Sequence, residues 1–526
     1  ESSVTVIPGT DITENLTQSL GEHLTTIAGV SSNNFGSAVG QPVIRGLSNN
    51  RVKVLQNNLV VRDVAGIGPD HPIDLDLGNI EQVEIVRGAS ALLHSNGASG
   101  GIINVVDNTI AKSDIEEPRF TLSAEQQTGN EGEGFSTAFK RNIGGFNVSY
   151  SFTGFDAQDY EVPNGAILHE EEDHDEEHDD HDEEHDDHDE DHEEDMGTLA
   201  NSDYETKAHR FGISKTGEWG FLGASYQDIS YTYGIPFHGE AHGGHEEEGH
   251  GEDHDGDHES EDHDDDHEGE EDHDEHEGER IFSQTDSEVF TIEGLLNVNN
   301  ALLNSVQFSI RDTDYTLVEQ HAEGDGEDEH EGHSEEPTLF SNDSTEVQMI
   351  FNLGSAENPR RVVVNQVSEK VAVLGEEAFM EPVKSTETTI GAFGGFNVSG
   401  FDIDVGIRYD DIERKGTIRE MHEEEEHEEE GHDEEEHHDE HEGFELEPFT
   451  FKDQSVSGVV TIGRSLTDSL SGSVNLGFVT RTPSTMELFM NGEHLAVARY
   501  EVGDANLKPE EANNIDFNLF YNDETW

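Results

Sequence analysis

Histidine, aspartate and glutamate make up almost all of four stretches of this chain: His169–Asp195, His238–Glu279, Glu319–Glu336 and Glu420–Glu447. They hold 26 of the 31 histidines and 68 of the 121 acidic residues, with no Lys or Arg. Imidazole nitrogen and carboxylate oxygen at this density are donors for borderline divalent metals, zinc first. The chain has no cysteine to add a thiolate. In the first stretch His174, His178, His181, His185, His188 and His192 are spaced 4, 3, 4, 3, 4. A helix with that spacing puts all six on one stripe, where i,i+4 imidazoles can share an ion. A tandem His-Asp-Glu-Glu-His-Asp-Asp repeat gives the same regularity with no helix, and crowded carboxylates repel one another. The expectation is therefore weak, multivalent metal capture, disordered without metal and partly ordered with it. His254, His258, His263, His267, His427 and His432 belong to the same low-affinity pool.

The formal net charge is −94, and outside the four stretches 53 acidic residues still face 27 basic ones. A field of that sign attracts cations and repels nucleic acid, so a DNA or RNA partner is not expected. The 526 residues exceed one ordinary compact domain, yet only 31% are hydrophobic. No run of eighteen apolar residues marks a transmembrane helix, which leaves a β-barrel open. The chain starts at Glu1 with no signal peptide and stops at Trp526 soon after a strand-like pattern, so it reads as a mature-region fragment cut at both ends.

The elements that must position any site fall into two textures. Residues 1–112 mix short apolar runs with Gly- and Asn-rich turns. Val43–Gly46, Arg51–Leu55, Val83–Arg87 and Ile102–Val106 read as short strands, and Ile12–Ile27 as helical turns capped by Asp11 or Thr13. This is a small α+β domain. Residues 113–526 change to period two: Phe146, Val148, Tyr150 and Phe152; Val306, Phe308 and Ile310; Phe401 to Tyr409; Val474, Leu476 and Phe478; Ile515, Phe517 and Leu519 each alternate with polar or small neighbours. A soluble sandwich or propeller also alternates. Long strands joined alternately by short turns, such as Asn142–Gly145 and Asn397–Gly400, and by very long loops favour a transmembrane antiparallel β-barrel.

Three N-terminal motifs then carry a resemblance: Gln41-Pro42-Val43-Ile44-Arg45-Gly46-Leu47; Ile80-Glu81-Gln82-Val83-Glu84-Ile85-Val86-Arg87-Gly88 with Ala91-Leu92-Leu93; and Gly100-Gly101-Ile102-Ile103-Asn104-Val105-Val106. They resemble the plug domain of TonB-dependent outer-membrane receptors. Gly406-Ile407-Arg408-Tyr409-Asp410, Arg481-Thr482-Pro483-Ser484, Glu487-Leu488-Phe489 and Asn506-Leu507-Lys508-Pro509-Glu510 resemble barrel motifs of the same receptors. Asp70-His71 in Gly68-Pro69-Asp70-His71-Pro72, the Gly492-Glu493-His494 segment and the histidine-rich loops are most similar to the zinc-uptake (ZnuD-like) branch. The chain departs from the pattern at Gly88-Ala89, where the family has Gly-Pro, and at His94-Ser95, where it has Tyr-Gly; His94 is either a benign replacement or an extra ligand.

The resemblance implies a 22-stranded barrel, truncated here, around a plug, in the outer membrane of a Gram-negative bacterium and energised by the TonB complex of the inner membrane. It also implies a selective metal site of Asp70, His71 and His494, with Glu376 or Glu377 as a further ligand, Glu377 preferred. Zinc seeks about four N/O ligands held by structure, and Pro69 and Pro72 restrict the backbone around the first two. Arg45 and Arg87 are expected to pin the plug to carboxylates of the barrel wall, or to stabilise the plug alone. The expected function is active import of zinc as transported ligand, with no catalytic cofactor. Haem, nickel, copper or cobalt import remains open, as does a surface metal buffer that transports nothing. No nucleophile–base constellation, phosphate loop or helical His-Glu-x-x-His motif suggests an enzyme.

Overall fold

A computed structural model describes residues 4–14, 19–86, 95–163, 197–236, 280–298, 300, 302–355, 358–375, 378–421 and 444–521, except 323–336. The N-terminal domain is built from β1 (Val4–Pro8), α1 (Gly9–Glu14), α2 (Leu20–His23), β2 (Val30–Phe35), β3 (Val39–Ile44), β4 (Val52–Gln56), β5 (Leu59–Val60), β6 (Ile80–Val86) and β7 (Gly101–Asp107). Five of its strands form one sheet in the order β1-β6-β7-β4-β5, with β4 and β7 parallel. Ile12, Leu20, Leu24, Ile44, Val83, Ile85, Ile103 and Val105 pack as its core. The pair of helical turns expected over Ile12–Ile27 is present as two short helices, the first beginning earlier, at Gly9. Asp11 and Thr13 lie inside α1, and Ser19 caps α2 by accepting the Glu22 N–H at 3.3 Å. Ser19 sits directly before the helix, with its Oγ free to reach the third amide, which is the geometry a cap requires.

Thirteen strands follow in sequence: β8 (Arg119–Gln126), β9 (Glu133–Ile143), β10 (Phe146–Ala157), β11 (Tyr204–Gly217), β12 (Gly220–Gly234), β13 (Arg280–Asn297), β14 (Ser305–Ala322), β15 (Thr338–Gly354), β16 (Pro359–Leu374), β17 (Val383–Val398), β18 (Phe401–Met421), β19 (Phe444–Ser465) and β20 (Leu470–Arg481). After β20 come α3 (Thr485–Phe489), the hairpin β21 (Asn491–His494) and β22 (Arg499–Val502), and β23 (Glu510–Tyr521). Strands β8 to β20 and β23 make a 14-stranded antiparallel sheet in chain order, with β8 and β23 at its edges.

Burial along these strands is inverted. On β10, Phe146 and Tyr150 are exposed while Asn147, Ser149 and Ser151 are buried. Phe517 on β23 is 79% exposed, and Ile407 and Tyr409 on β18 are exposed beside buried Arg408 and Asp410. A sheet with apolar residues outward and polar residues inward against a plug is built for lipid outside. The tight ends are hairpins that need left-handed backbone: Gly144 and Gly145 have φ of 62° and 85°, and Ser399 and Gly400 of 55° and 78°. Because every strand is antiparallel to the next, connections alternate between the two ends of the sheet. The β10–β11, β12–β13, β14–β15 and β18–β19 connections therefore leave from one end, which also carries the β20–β23 connection. Those four connections are where the acidic histidine stretches fall.

Candidate metal centre

Asp70 and His71 lie in the strand-free segment between β5 and β6, where the N-terminal domain meets the inner wall of the large sheet. Buried Gln41, from the first plug-like motif, holds this segment in place. Its Nε2 donates to the carbonyls of Ala65, Gly68 and His71 at 2.9, 3.1 and 3.0 Å. The His71 Nδ1 faces the Val64 carbonyl at 3.3 Å. A proton on Nδ1 donates there and leaves the Nε2 lone pair for a metal, the usual way a protein orients a histidine ligand.

His494 ends β21, in the connection between β20 and β23. That connection is ordered by a capping box in which Ser484 and Glu487 exchange hydrogen bonds at the start of α3. Arg481 clamps the same glutamate at 2.8 Å, and the Asn491 N–H donates to the Phe379 carbonyl at 2.8 Å.

A fourth group completes the cluster. Glu319 lies inside β14, and one ligand atom from each of Asp70, His71, Glu319 and His494 fits within 4.8 Å of the others. His71 Nε2 is 3.2 Å from Asp70 Oδ2 and 3.9 Å from Glu319 Oε2, and His494 Nε2 is 3.6 Å from Asp70 Oδ2. Neighbouring ligand atoms of a tetrahedral zinc with bonds of about 2.0–2.1 Å sit about 3.3 Å apart, so the cluster needs only a small inward closure. All four residues are buried, and both Asp70 oxygens, His71 Nε2, Glu319 Oε2 and both His494 nitrogens find no hydrogen-bond partner among the described residues. Orphaned lone pairs in a buried site are costly unless something fills them. Phe340 packs edge-on to His71 at 4.8 Å and Phe379 lies 5.0 Å from His494. Leu317, Met380, Leu488 and Met490 extend that apolar collar, which keeps the donors dry and strengthens their field.

The two histidines differ electrostatically. Burial opposes a proton on His71, but the Asp70 carboxylate and then Glu319 outweigh it and raise the imidazole to about 9. Burial dominates at His494 and lowers it to about 4. Gly68 is part of the cage as well. A Cβ there would stand 2.2 Å from Asp70 Oδ1 and 2.9 Å from His494 Cε1.

The structure thus brings Asp70, His71 and His494 together from separate parts of the chain. Sequence reading began the third acidic stretch at Glu319, and the structure moves that residue out of the loop and into β14. The signal was present: Tyr315, Leu317 and Glu319 share one face by period two. Glu376 and Glu377, Arg87 and His94, and the loop histidines from His174 to His432 lie outside the described residues. Arg45 pairs with Asp516 on β23 across a half-exposed contact, a weak tie by itself. Buried contacts between plug and wall are made elsewhere: Arg210 to the Asp76 carbonyl at 2.6 Å, Arg311 to the Gln56 carbonyl at 3.1 Å, and Arg62 to Glu369 at 3.5 Å. His23 is buried in the plug, and His209 packs at a tilt against Phe152 on the outer face of β11, away from the cage.

Comparison with known proteins agrees with this architecture. Residues 1–102 match the TonB-dependent receptor plug domain and residues 136–526 the TonB-dependent receptor-like β-barrel. The vitamin B12 transporter BtuB of Vibrio vulnificus (strain CMCP6) is 28% identical over 167 residues, which is 31% of this chain and 27% of that protein. Among solved structures, the copper transporter OprC is similar with a TM-score of 0.65 at 13% identity, over 99% of this chain and 70% of the other. The haemophore receptor HasR of Serratia marcescens, in complex with HasA and haem, has a TM-score of 0.67 at 12% identity, over 98% and 69%. The FrpB iron transporter of Neisseria meningitidis has a TM-score of 0.65 at 11% identity, over 99% and 71%. At such identities these likenesses speak to fold, and the two family models, one for each domain, speak to descent. With a plug packed inside a lipid-facing antiparallel sheet and both family models matched across most of its length, the chain belongs to the TonB-dependent receptors.

Proposed function

We propose that this receptor imports zinc across the outer membrane of a Gram-negative bacterium, in a cycle energised through TonB. One observation carries the reading: four buried N/O donors with ligand atoms that lack hydrogen-bond partners, two from the plug and two from the barrel side, converge within 4.8 Å. Two imidazoles and two carboxylates together suit zinc better than magnesium or calcium, which prefer oxygen alone. Haem fits poorly, because the four donors are buried and Phe340 and Phe379 pack directly against His71 and His494.

Because the ligands are divided between plug and wall, the same displacement that opens a path also dismantles the cage. Asp70 and His71 move with the plug, while Glu319 and His494 stay with the barrel. An ion held by four ligands is then left with two, and its affinity collapses where it must be released. The acidic histidine stretches all attach at the mouth above the cage. Their field and redundancy concentrate cations there without selecting among them. Deleting them lowers uptake at scarce zinc and spares uptake at abundant zinc.

The test is energy-dependent uptake of zinc against copper, nickel and cobalt in zinc-limited cells carrying the intact gene, with His71→Ala and His494→Ala. Both variants lose zinc uptake under the proposal. Wild-type zinc uptake in both would remove the cage from the transport path.

A further inference from the structure

Below the cage, the plug segment from Asp70 to Asp76 runs down the inner faces of β11 to β14. His71 faces Glu319 near the outer end of β14. Further in, Ser287 Oγ donates to Asp74 Oδ2 at 2.6 Å and Tyr231 donates to the Leu75 carbonyl at 3.0 Å. On β13 the lumen-facing residues are Ser283, Thr285 and Ser287; Ser283 pairs with Glu319 and Ser287 with Tyr315. Four residues of strand separate those two levels, about 13 Å.

The lower level has its own unfilled donors. Asp74 Oδ1, Thr285 Oγ1 and Tyr315 Oη make no hydrogen bond among the described residues, although Asp74 is 4%, Thr285 1% and Tyr315 0% exposed. Ser287, which holds Asp74, is the register partner of Tyr315 and stands two residues from Thr285 on the same face of β13. Two orphaned hydroxyls and an orphaned carboxylate oxygen are expensive in an apolar interior unless a cation or its water visits. Beneath them the seam is shut by buried Arg210, which donates to the Asp76 and Gly78 carbonyls at 2.6 and 3.2 Å. A fixed guanidinium there repels an ion until the plug moves.

We propose that Asp74, Thr285 and Tyr315 form a second, oxygen-only cation station, inward of the cage, that receives zinc when the cage opens. This rests on the zinc-import reading. Oxygen ligands hold zinc less tightly than imidazole does, so the ion steps from a selective site to a permissive one, and weak successive sites favour release.

The experiment uses the intact receptor, with zinc as the probe and two readouts. One is the kinetics of energy-dependent uptake in zinc-limited cells; the other is zinc retained by detergent-purified receptor against a competing chelator. Asp74→Asn is expected to lower the maximal uptake rate about fivefold or more while retained zinc and half-saturating zinc stay within about twofold of wild type. A wild-type maximal rate overturns the proposal. So does loss of retained zinc equal to that of His71→Ala, which would make Asp74 merely a support of the cage. Should Asp74→Asn fail to reach the membrane, Tyr315→Phe removes a single oxygen and carries the same test, with a wild-type rate again overturning it. Failure of the zinc reading itself is separate: there, His71→Ala changes neither readout.

Discussion

Under the zinc-import proposal, lowering the pH from 7 to 6 is expected to weaken zinc binding at the cage about tenfold. The argument starts from His71, whose imidazole is raised to about 9 because its acidic neighbours outweigh its burial. Below that pH the ring carries a proton on the nitrogen that the metal needs, so binding must expel one proton per ion. Each pH unit below the raised value costs about 1.4 kcal/mol, so at pH 7 apparent affinity is about 100-fold below its alkaline limit. His494, lowered to about 4, has already lost its proton above pH 5 and adds no slope. The logarithm of the association constant therefore rises with a slope of one between about pH 5 and 9 and then levels off. The assay is competition with a chromogenic chelator on the detergent-purified intact receptor, corrected for the chelator's own titration. The chelator strips weakly held ions from the loop histidines and leaves the tight class. A flat profile between pH 6 and 8 would refute the proton displacement, and a slope of two would mean that both histidines start protonated.

Other perturbations test the parts that build the cage. Gly68→Ala drives a methyl into Asp70 and His494 at 2.2 and 2.9 Å, and the same competition assay should show tight zinc weakened about 10- to 100-fold; unchanged affinity would mean that the segment yields freely. Gln41→Ala strips the donor from the Ala65, Gly68 and His71 carbonyls, at a cost of about 1–3 kcal/mol. Hydrogen exchange across residues 65–71 should rise, and unaltered protection would show that the clamp is idle. Ile407→Lys puts a charge on an exposed, lipid-side position of β18 and should cost about 2–4 kcal/mol if it lies near the midplane. Heat-dependent gel mobility of the barrel reads this out, and wild-type behaviour would argue against lipid on that face.

The barrel was legible because its rule is local. A strand between lipid and a polar lumen must alternate, and Phe146 to Phe152 or Phe401 to Tyr409 show this in a few residues. Hairpin glycines at 144, 145 and 400 followed from the same economy, since tight turns demand left-handed backbone. The helical start of the plug was less legible. Its sequence suggests Asp11 or Thr13 as the cap, yet both lie inside α1, and Ser19, outside that reading, caps α2.

The site divides in the same way. The resemblance to the zinc-uptake branch singled out Asp70, His71 and His494, while composition set the acidic histidine stretches apart as a pool of candidate metal donors. It could not distinguish Glu319 from the acids that follow it, because carboxylates in one run look alike until some are held by a strand and others are not. The register of β14 against β13 turns Glu319 inward, and the hydrogen bonds of Gln41 bring the plug segment up to meet it. The convergence of four donors separated by up to several hundred residues, their burial and their missing partners are properties of packing. Composition pointed to metal ions as the ligand to look for; only the seating of plug against barrel wall decided where four donors meet.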